Sequence, residues 1–117
     1  MCYISTVKKK KKYVAVKQVR EFILKQEDTC QAEYLAVVEK LETDGFLLEP
    51  YAKKLETRLF EMRLRRGRQI RVFYCYDAGD FVVGLHAFSK KTQKTPLREL
   101  KQARRVISAV LRGNYYE

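Results

Sequence analysis

LFEMRLRRGRQIRVFYCYDAGDFVVGLHAFSKKTQKTP, residues 59–96, is the stretch that decides the fold of this chain. Runs rich in Val, Ile, Phe and Tyr are separated by two glycine-containing segments, at 66–69 and 77–80. β-branched and aromatic residues favour pleated strands, and glycine supplies the backbone angles that tight turns often need. The stretch therefore predicts three antiparallel strands joined by two turns and followed by a basic loop.

Charged side chains follow the twofold alternation of the first two predicted strands. In the first strand, Glu61, Arg63 and Arg65 alternate with apolar residues, so one face is apolar and the other carries guanidinium groups. In the second strand, Arg71 shares its face with Phe73. Because an arginine in the middle of an apolar strand is costly to bury alone, we expect Arg71 to meet an anionic group.

The positive charge of the chain is concentrated in its second half. The net charge is +11, and the part after Glu56 holds 14 basic and 5 acidic residues, against 11 and 9 before it. Without the run Lys8–Lys12, the first part would be net negative. A concentrated positive field attracts polyanions and makes their binding depend on salt.

Several classes of protein are disfavoured by composition. A chain of 117 residues is long enough for one core, so we expect a single domain over residues 1–117. Cys2, Cys30 and Cys75 form no CxxC pair and His86 is the only histidine, which disfavours a disulfide scaffold and a zinc site. No apolar run approaches a membrane helix and no signal-peptide pattern follows Met1, so we expect a cytoplasmic protein with reduced thiols, no cofactor and no membrane partner.

Helical periodicity appears on both sides of the predicted strands. Apolar spacing predicts one helix over about 16–26, a second from residue 28 or 29 to about 43 with Gly45 as its stop, and a third from 97 to near 113. Residues 46–57 are predicted to be a connector, and the opening CYISTV a first strand. The lysine run has two open interpretations, a solvated loop or an arm that contacts phosphates near the arginines.

The predicted fold class is α+β. We expect a small antiparallel sheet with an N-terminal helical hairpin on one face, a basic surface on the other face, and a C-terminal helix.

Four motifs occur in order within this arrangement. They are LFEMR from Leu59, RVFY from Arg71, LHAF from Leu85 and KKTQKTP from Lys90. In this order the chain resembles the RelE/HigB superfamily of toxins from bacterial type II toxin–antitoxin systems, and within it the phage-derived HigB-like branch. The resemblance covers roughly residues 16–111. It implies a RelE/ParE-like fold and an mRNA interferase that cleaves mRNA on the ribosome without a metal and is neutralised by an antitoxin.

The resemblance also assigns roles to individual residues. Arg71 matches the arginine that contacts the scissile phosphate, and Lys91 matches the basic residue after the last strand. Arg63 and Arg65 match basic residues on the first hairpin strand. His86 is a third catalytic candidate, proposed from its own chemistry and not from the resemblance. The residues expected to bind RNA are Arg63, Arg65, Lys90, Lys94, Lys53 and Lys54. The match fails at Leu97, where RelE carries a tyrosine.

The residues suit this chemistry independently of the resemblance. When the 2′-hydroxyl of RNA attacks the adjacent phosphate, negative charge develops on phosphorus oxygens, and guanidinium groups stabilise it best where water is excluded. A general acid or base is also needed. His86 is the only histidine, the residue type that most often fills this role, although a hydrogen-bonded histidine in an apolar strand is the simpler interpretation. Tyr115 or Tyr116 would be a substitute if the C-terminal tail folds back.

The predicted function is a ribosome-dependent endoribonuclease toxin. Its expected partners are mRNA, the ribosome and a cognate antitoxin that is acidic or has a helix-turn-helix domain. Two alternatives remain open: a non-catalytic ParE-like inhibitor of DNA gyrase on the same scaffold, and a plain RNA-binding module. The second alternative lacks the exposed aromatic platform on which RNA-binding modules stack bases.

Overall fold

The computed structural model describes residues 8–66, 69–91, 96–111 and 113. In this part of the chain, five strands and three helices follow one another in the order β1 Lys12–Ala15, α1 Lys17–Leu24, α2 Asp28–Asp44, β2 Ala52–Glu56, β3 Leu59–Leu64, β4 Ile70–Tyr76, β5 Phe81–Ser89 and α3 Leu97–Leu111. None of these helices is both long and apolar enough to cross a membrane.

All five strands belong to one mixed sheet, in the spatial order β1-β5-β4-β3-β2. The strands β2 to β5 form an antiparallel meander, whereas β1 pairs with β5 in parallel. Parallel pairing requires a crossover connection. Here the crossover runs from β1 through both N-terminal helices and the strands β2 to β4 before the chain reaches β5.

Helices cover both faces of the sheet. Alternating residues of β4 divide between two apolar cores, with Val72 and Tyr74 on one side and Phe73 and Cys75 on the other. The first core includes buried residues of both α1 and α2. The second is closed by α3, which buries Ala103 and Val110 against the sheet. The central strand β4 is therefore apolar on both faces, and Arg71 lies near one end of the second face.

The predicted fold class is wrong in its architecture. The sheet has five strands and is mixed, whereas a small antiparallel sheet was predicted. The helices do not follow the predicted plan of an N-terminal hairpin and a C-terminal helix, because β1 precedes α1 and β2 follows α2. The second face of the sheet is not an open basic surface, since the apolar stripe of α3 covers most of it.

The predicted helices themselves are confirmed, with small differences at their ends. Gly45 ends α2 in the left-handed conformation at φ 85°, and its N–H donates to the Leu41 carbonyl at 2.8 Å. The connector predicted for residues 46–57 is wrong, because β2 lies within it. The CYISTV strand prediction falls outside the described residues.

The lysine run Lys8–Lys12 lies at the end of the sheet opposite to Arg71. The N–H groups of Lys10 and Lys11 donate to the carbonyl of Glu42 near the end of α2, and Lys12 begins β1 opposite Phe81. Phe81 starts β5, whereas Phe88, the partner of Arg71, is near its other end, roughly 23 Å away at strand rise. The interpretation of this run as a phosphate-contacting arm near the arginines is therefore wrong.

Candidate functional site

Five basic residues meet at one end of the sheet, and we call them the basic cluster: Arg63, Arg65, Arg71, Lys90 and Lys91. The β3–β4 hairpin places Arg63 directly opposite Arg71. Pairing of Ile70 with Ser89 then brings the end of β5, and the lysines that follow it, beside the same hairpin. The structure thus brings together residues that are separated by as many as 28 positions in the sequence.

A buried glutamate lies between the two arginines of the basic cluster. The Glu61 side chain is only 1% exposed, and its Oε1 is 3.3 Å from Arg63 Nε and 3.7 Å from Arg71 Nε. Like charges directly opposite each other on neighbouring strands repel. The shared carboxylate offsets this repulsion and leaves the pair of guanidinium groups with one net positive charge.

The guanidinium of Arg71 is held in place but keeps unused donors. Its Nη1 donates to the Ile70 carbonyl and its Nη2 to Gln69 Oε1, both at 3.1 Å. Its Nε is buried and makes no hydrogen bond within the described residues. Burial lowers the pKa of Arg71, an effect that Glu61 counters, yet an arginine stays charged at any accessible pH. The structure therefore presents a fixed, desolvated cation.

Backbone contacts from outside the hairpin fix the rest of the basic cluster. The Glu33 carboxylate on α2 accepts hydrogen bonds from the N–H groups of Arg65 and Arg66, at 2.9 to 3.0 Å. The N–H of Lys90 donates to the Gln69 carbonyl at 2.7 Å. These bonds hold the backbone at the two ends of the cluster, while the side chains of Arg65 and Lys91 are exposed.

His86 lies on the same face of the sheet as Arg71 and contacts α3. Its Nε2 is 2.6 Å from Oε1 of Glu99, in the first turn of α3. Its ring stacks on that of Phe88, with 5.8 Å between the ring centroids and 20° between the planes. This geometry agrees with the simpler interpretation of His86 as a hydrogen-bonded histidine. Glu99 bonds only Nε2, and the other ring nitrogen, Nδ1, is not used in this contact.

The register of β4 and β5 sets the distance between His86 and Arg71. Arg71 pairs with Phe88, and Phe73 pairs with His86, so the two candidates are diagonal neighbours across the ladder. Diagonal neighbours on one face of an antiparallel pair are about 7 Å apart. Arg71 and His86 therefore lie close together on one face of the sheet.

The other candidate residues predicted from the sequence lie either on the edge strand β2 or outside the described residues. Lys53 pairs with Glu61 across β2 and β3 and shares its face, whereas Lys54 pairs with Phe60 and faces the other side of the sheet. Both lysines are exposed on an edge strand. Lys94, Tyr115 and Tyr116 lie outside the described residues.

Three residues that the sequence did not single out complete the site. Glu61 and Glu99 supply its two carboxylates, and the Gln18 amide bonds both the N–H and the carbonyl of Ala87, at 2.9 Å each. Gln18 thereby pairs with β5 next to His86, beyond the last residue that β1 pairs. Of these three, only Glu61 could have been found from the sequence, because strand alternation places it on the same face as Arg63.

The site offers cations and a histidine rather than a cluster of metal ligands. Within the described residues, no three His, Cys, Asp or Glu side chains are grouped so that they could hold a metal ion. The two described cysteines are buried, and burial raises the pKa of the Cys75 thiol to about 12. The groups available for chemistry are therefore the arginines, the lysines, and the His86–Glu99 pair.

Comparison with known proteins places these residues in a family context. A family model described as phage-derived protein Gp49-like (DUF891) matches residues 21–108. Comparison with curated proteins gave no match. The matched range contains the whole basic cluster, Glu61 and the His86–Glu99 pair.

Proposed function

The chain belongs to the Gp49-like family of phage-derived proteins, a toxin-like family of toxin–antitoxin systems, and on that premise we propose that it is the toxin of a type II system. We further propose that it acts as toxins of the RelE/HigB superfamily do, as a ribosome-dependent mRNA endonuclease that needs no metal. The motifs LFEMR, RVFY, LHAF and KKTQKTP support this assignment.

One observation carries the proposed activity: Arg71 is a fixed cation with unused donors beside a second arginine. Its side chain is 11% exposed and its Nε faces Glu61, while each Nη donates one hydrogen, to Ile70 or Gln69, and keeps a second one. Phosphate oxygens would accept these remaining hydrogens, and Arg63 would stabilise the charge that develops on the same phosphate.

The reaction follows from the groups present. His86 takes the proton of a ribose 2′-hydroxyl while the 2′-oxygen forms a bond to the adjacent phosphorus. The bond from phosphorus to the 5′-oxygen then breaks, that oxygen takes a proton from water, and the hydroxide that remains takes the proton from His86. The products are a 2′,3′-cyclic phosphate and a 5′-hydroxyl. Arg71 and Arg63 bind the phosphate, and Lys91 and Lys90 contact the neighbouring RNA.

The proposed partners follow from the same site. The mRNA would reach the basic cluster in the ribosome, and Arg65, with exposed Lys53, would contact additional phosphates. A cognate antitoxin, acidic or with a helix-turn-helix domain, would neutralise the toxin.

Mapping of RNA ends after induced expression tests the activity. We expect new 5′ ends inside translated reading frames, and purified protein that has been stripped of metal beforehand should cut mRNA on programmed ribosomes. The fragments should carry 5′-hydroxyl and 2′,3′-cyclic phosphate ends. Growth arrest with intact transcripts would contradict the proposal, and trapped gyrase–DNA complexes would then identify a gyrase inhibitor.

A further inference from the structure

The contact between His86 and Glu99 joins the sheet to α3 inside the proposed active site. We propose that Glu99 is a positioning residue, which fixes the hydrogen of the neutral imidazole on Nε2 and so makes Nδ1 the atom that accepts the 2′-hydroxyl proton. This inference rests on the proposed function. It adds a specific residue and a specific atom to the reaction.

The assignment of the hydrogen follows from the chemistry of the two groups. An ionised carboxylate only accepts hydrogen bonds, so the ring nitrogen at 2.6 Å from Oε1 must carry the hydrogen. In a neutral imidazole the other nitrogen then bears the lone pair. When Nδ1 takes up a proton, the ring becomes a cation, and the adjacent carboxylate stabilises it.

The surroundings of the pair keep the ring in one orientation. Phe88 stacks on one side of His86, and the Phe73 ring centroid is 6.3 Å away at a tilted angle. Gln18 holds the β5 backbone at the next residue, Ala87. The His86 and Glu99 side chains are 12% and 18% exposed, so the contact is largely shielded from water, which strengthens it.

Two further charges face the pair. Arg98 Nε is 3.7 Å from the other carboxylate oxygen of Glu99, and its side chain is 87% exposed. Arg71 is the diagonal neighbour of His86 on β4. Glu99 thus lies between an exposed cation of α3 and the histidine, with its Oε1 committed to His86.

The alternative is that the contact only docks α3 on the sheet, and the chain offers a matched control for it. Glu56, in β2, accepts two hydrogen bonds from Arg104 of α3, at 3.1 and 2.6 Å. This second carboxylate also joins α3 to the sheet, but it does not contact His86. Glu99→Ala and Glu56→Ala each remove one polar contact between α3 and the sheet.

Nitrogen NMR measures the proposed state directly, because His86 is the only histidine of the chain. In the wild type we expect a protonated Nε2, a bare Nδ1 and a downfield Nε2 proton that exchanges slowly with water. Glu99→Ala should lose the slow exchange, and Glu56→Ala should keep it. A wild-type ring protonated on Nδ1 would overturn the inference, and so would an unchanged Nε2 proton in Glu99→Ala.

Single-turnover cleavage on saturating programmed ribosomes measures the consequence. We expect Glu99→Ala to cut roughly 10²-fold more slowly, the lower end of what a general base contributes, with unchanged ribosome affinity. Glu56→Ala should cut at the parental rate. In a His86→Gln background, Glu99→Ala should not lower the cleavage rate further, because the effects of substituting residues that act as one unit are not additive.

The outcomes separate the two proposals. A wild-type protein that cuts no mRNA overturns the proposed function and this inference with it. A wild type that cuts mRNA, beside a Glu99→Ala variant that is folded and equally fast, overturns the inference alone. An equal loss from Glu99→Ala and Glu56→Ala would show that Glu99 only docks α3.

Discussion

At the scale of single residues, the buried carboxylate of Glu61 determines how two arginines can lie side by side. Arg63 and Arg71 are direct cross-strand partners, and both approach the same Oε1 through Nε. Because Nε faces Glu61, a substrate phosphate that binds the Nη hydrogens would not have to replace the Glu61 carboxylate.

Replacement of this carboxylate should destabilise the fold. Glu61→Gln keeps the shape of the side chain but removes its charge, so two largely desolvated guanidinium groups face each other without a counter-ion. We expect a loss in unfolding free energy on the order of 3 kcal/mol, as for other broken buried ion pairs. Urea unfolding measures it, with the exposed Glu39→Gln as a control expected to change stability by less than about 0.5 kcal/mol. An equal effect from both variants would contradict a special role for Glu61.

Substitution of Arg71 separates its geometry from its charge. Arg71→Lys keeps the positive charge beside Glu61 but loses the planar guanidinium that binds two phosphate oxygens at once. We expect cleavage to slow about 10²- to 10³-fold in single-turnover assays, with little change in thermal stability. Arg71→Ala should also lower stability, since Glu61 then retains only Arg63 of the two arginines.

A second arginine substitution serves as the control for Arg71. Arg66 is exposed at the hairpin end, and only its backbone N–H has a role in the site, as a donor to Glu33. Arg66→Lys should therefore cut at the parental rate. If Arg71→Lys is equally fast, the phosphate does not bind where we propose.

At the scale of elements, two polar contacts among the described residues hold α3 to the sheet, at different places along its length. One is Glu99 with His86, near its beginning, and the other is Arg104 with Glu56 of β2. The guanidinium of Arg104 holds the pKa of the Glu56 carboxyl below its usual range. The second contact therefore depends on pH.

The sign of this dependence is set by the ionised carboxylate. Because the folded state lowers the pKa of Glu56, the contact stabilises the fold above the ordinary glutamate pKa, about 4.3, and the contribution is lost as the pH falls through the lower folded value. Glu56→Gln should thus be less stable than the wild type at pH 7 and equally stable in acid. Thermal melts of both proteins across this pH range measure the difference. A difference in melting temperature between the two proteins that widens in acid would contradict a stabilising role of the ionised Glu56 carboxylate.

At the scale of the whole molecule, the lysine run and the basic cluster occupy opposite ends of the sheet. Part of the run is already engaged, since Lys9 Nζ is 2.9 Å from Glu42 and Lys11 Nζ lies over the Tyr76 ring. The basic cluster carries the positions proposed to contact RNA. Net charge alone therefore does not say which end binds a polyanion.

Removing positive charges from one end of the sheet at a time shows which end binds the RNA. A protein that neutralises several phosphates loses affinity by orders of magnitude between about 50 and 200 mM salt, and each contact contributes about one to the slope of log affinity against log salt. Lys90→Gln with Lys91→Gln should lower that slope by about two in binding to programmed ribosomes. Lys8→Gln with Lys10→Gln, both exposed at the other end, should leave it unchanged. Equal effects would indicate attraction by total charge alone.

The sequence by itself determined the three helices, the strands β3, β4 and β5, and the faces that their residues occupy. Alternation in LFEMRL and RVFYCY assigns each side chain to one side of a strand, and helical spacing with Gly45 delimits α2, because these patterns reflect local backbone geometry. The concentration of positive charge after Glu56 and the four motifs were equally visible. They were enough for the family resemblance and for naming Arg71 and His86 as candidates.

Only the tertiary structure decided what these side chains contact. In the parallel pair of β1 and β5, the Tyr13 hydroxyl lies where a Cβ of Gly84 would be, a contact between residues 71 positions apart. Contacts between residues that are distant in the sequence also place Glu61 between two arginines and Glu99 beside His86. They place the lysine run at the far end of the sheet. Periodicity reports which face a residue occupies, but strand register and the placement of a helix determine what it meets on that face. These depend on packing over the whole chain.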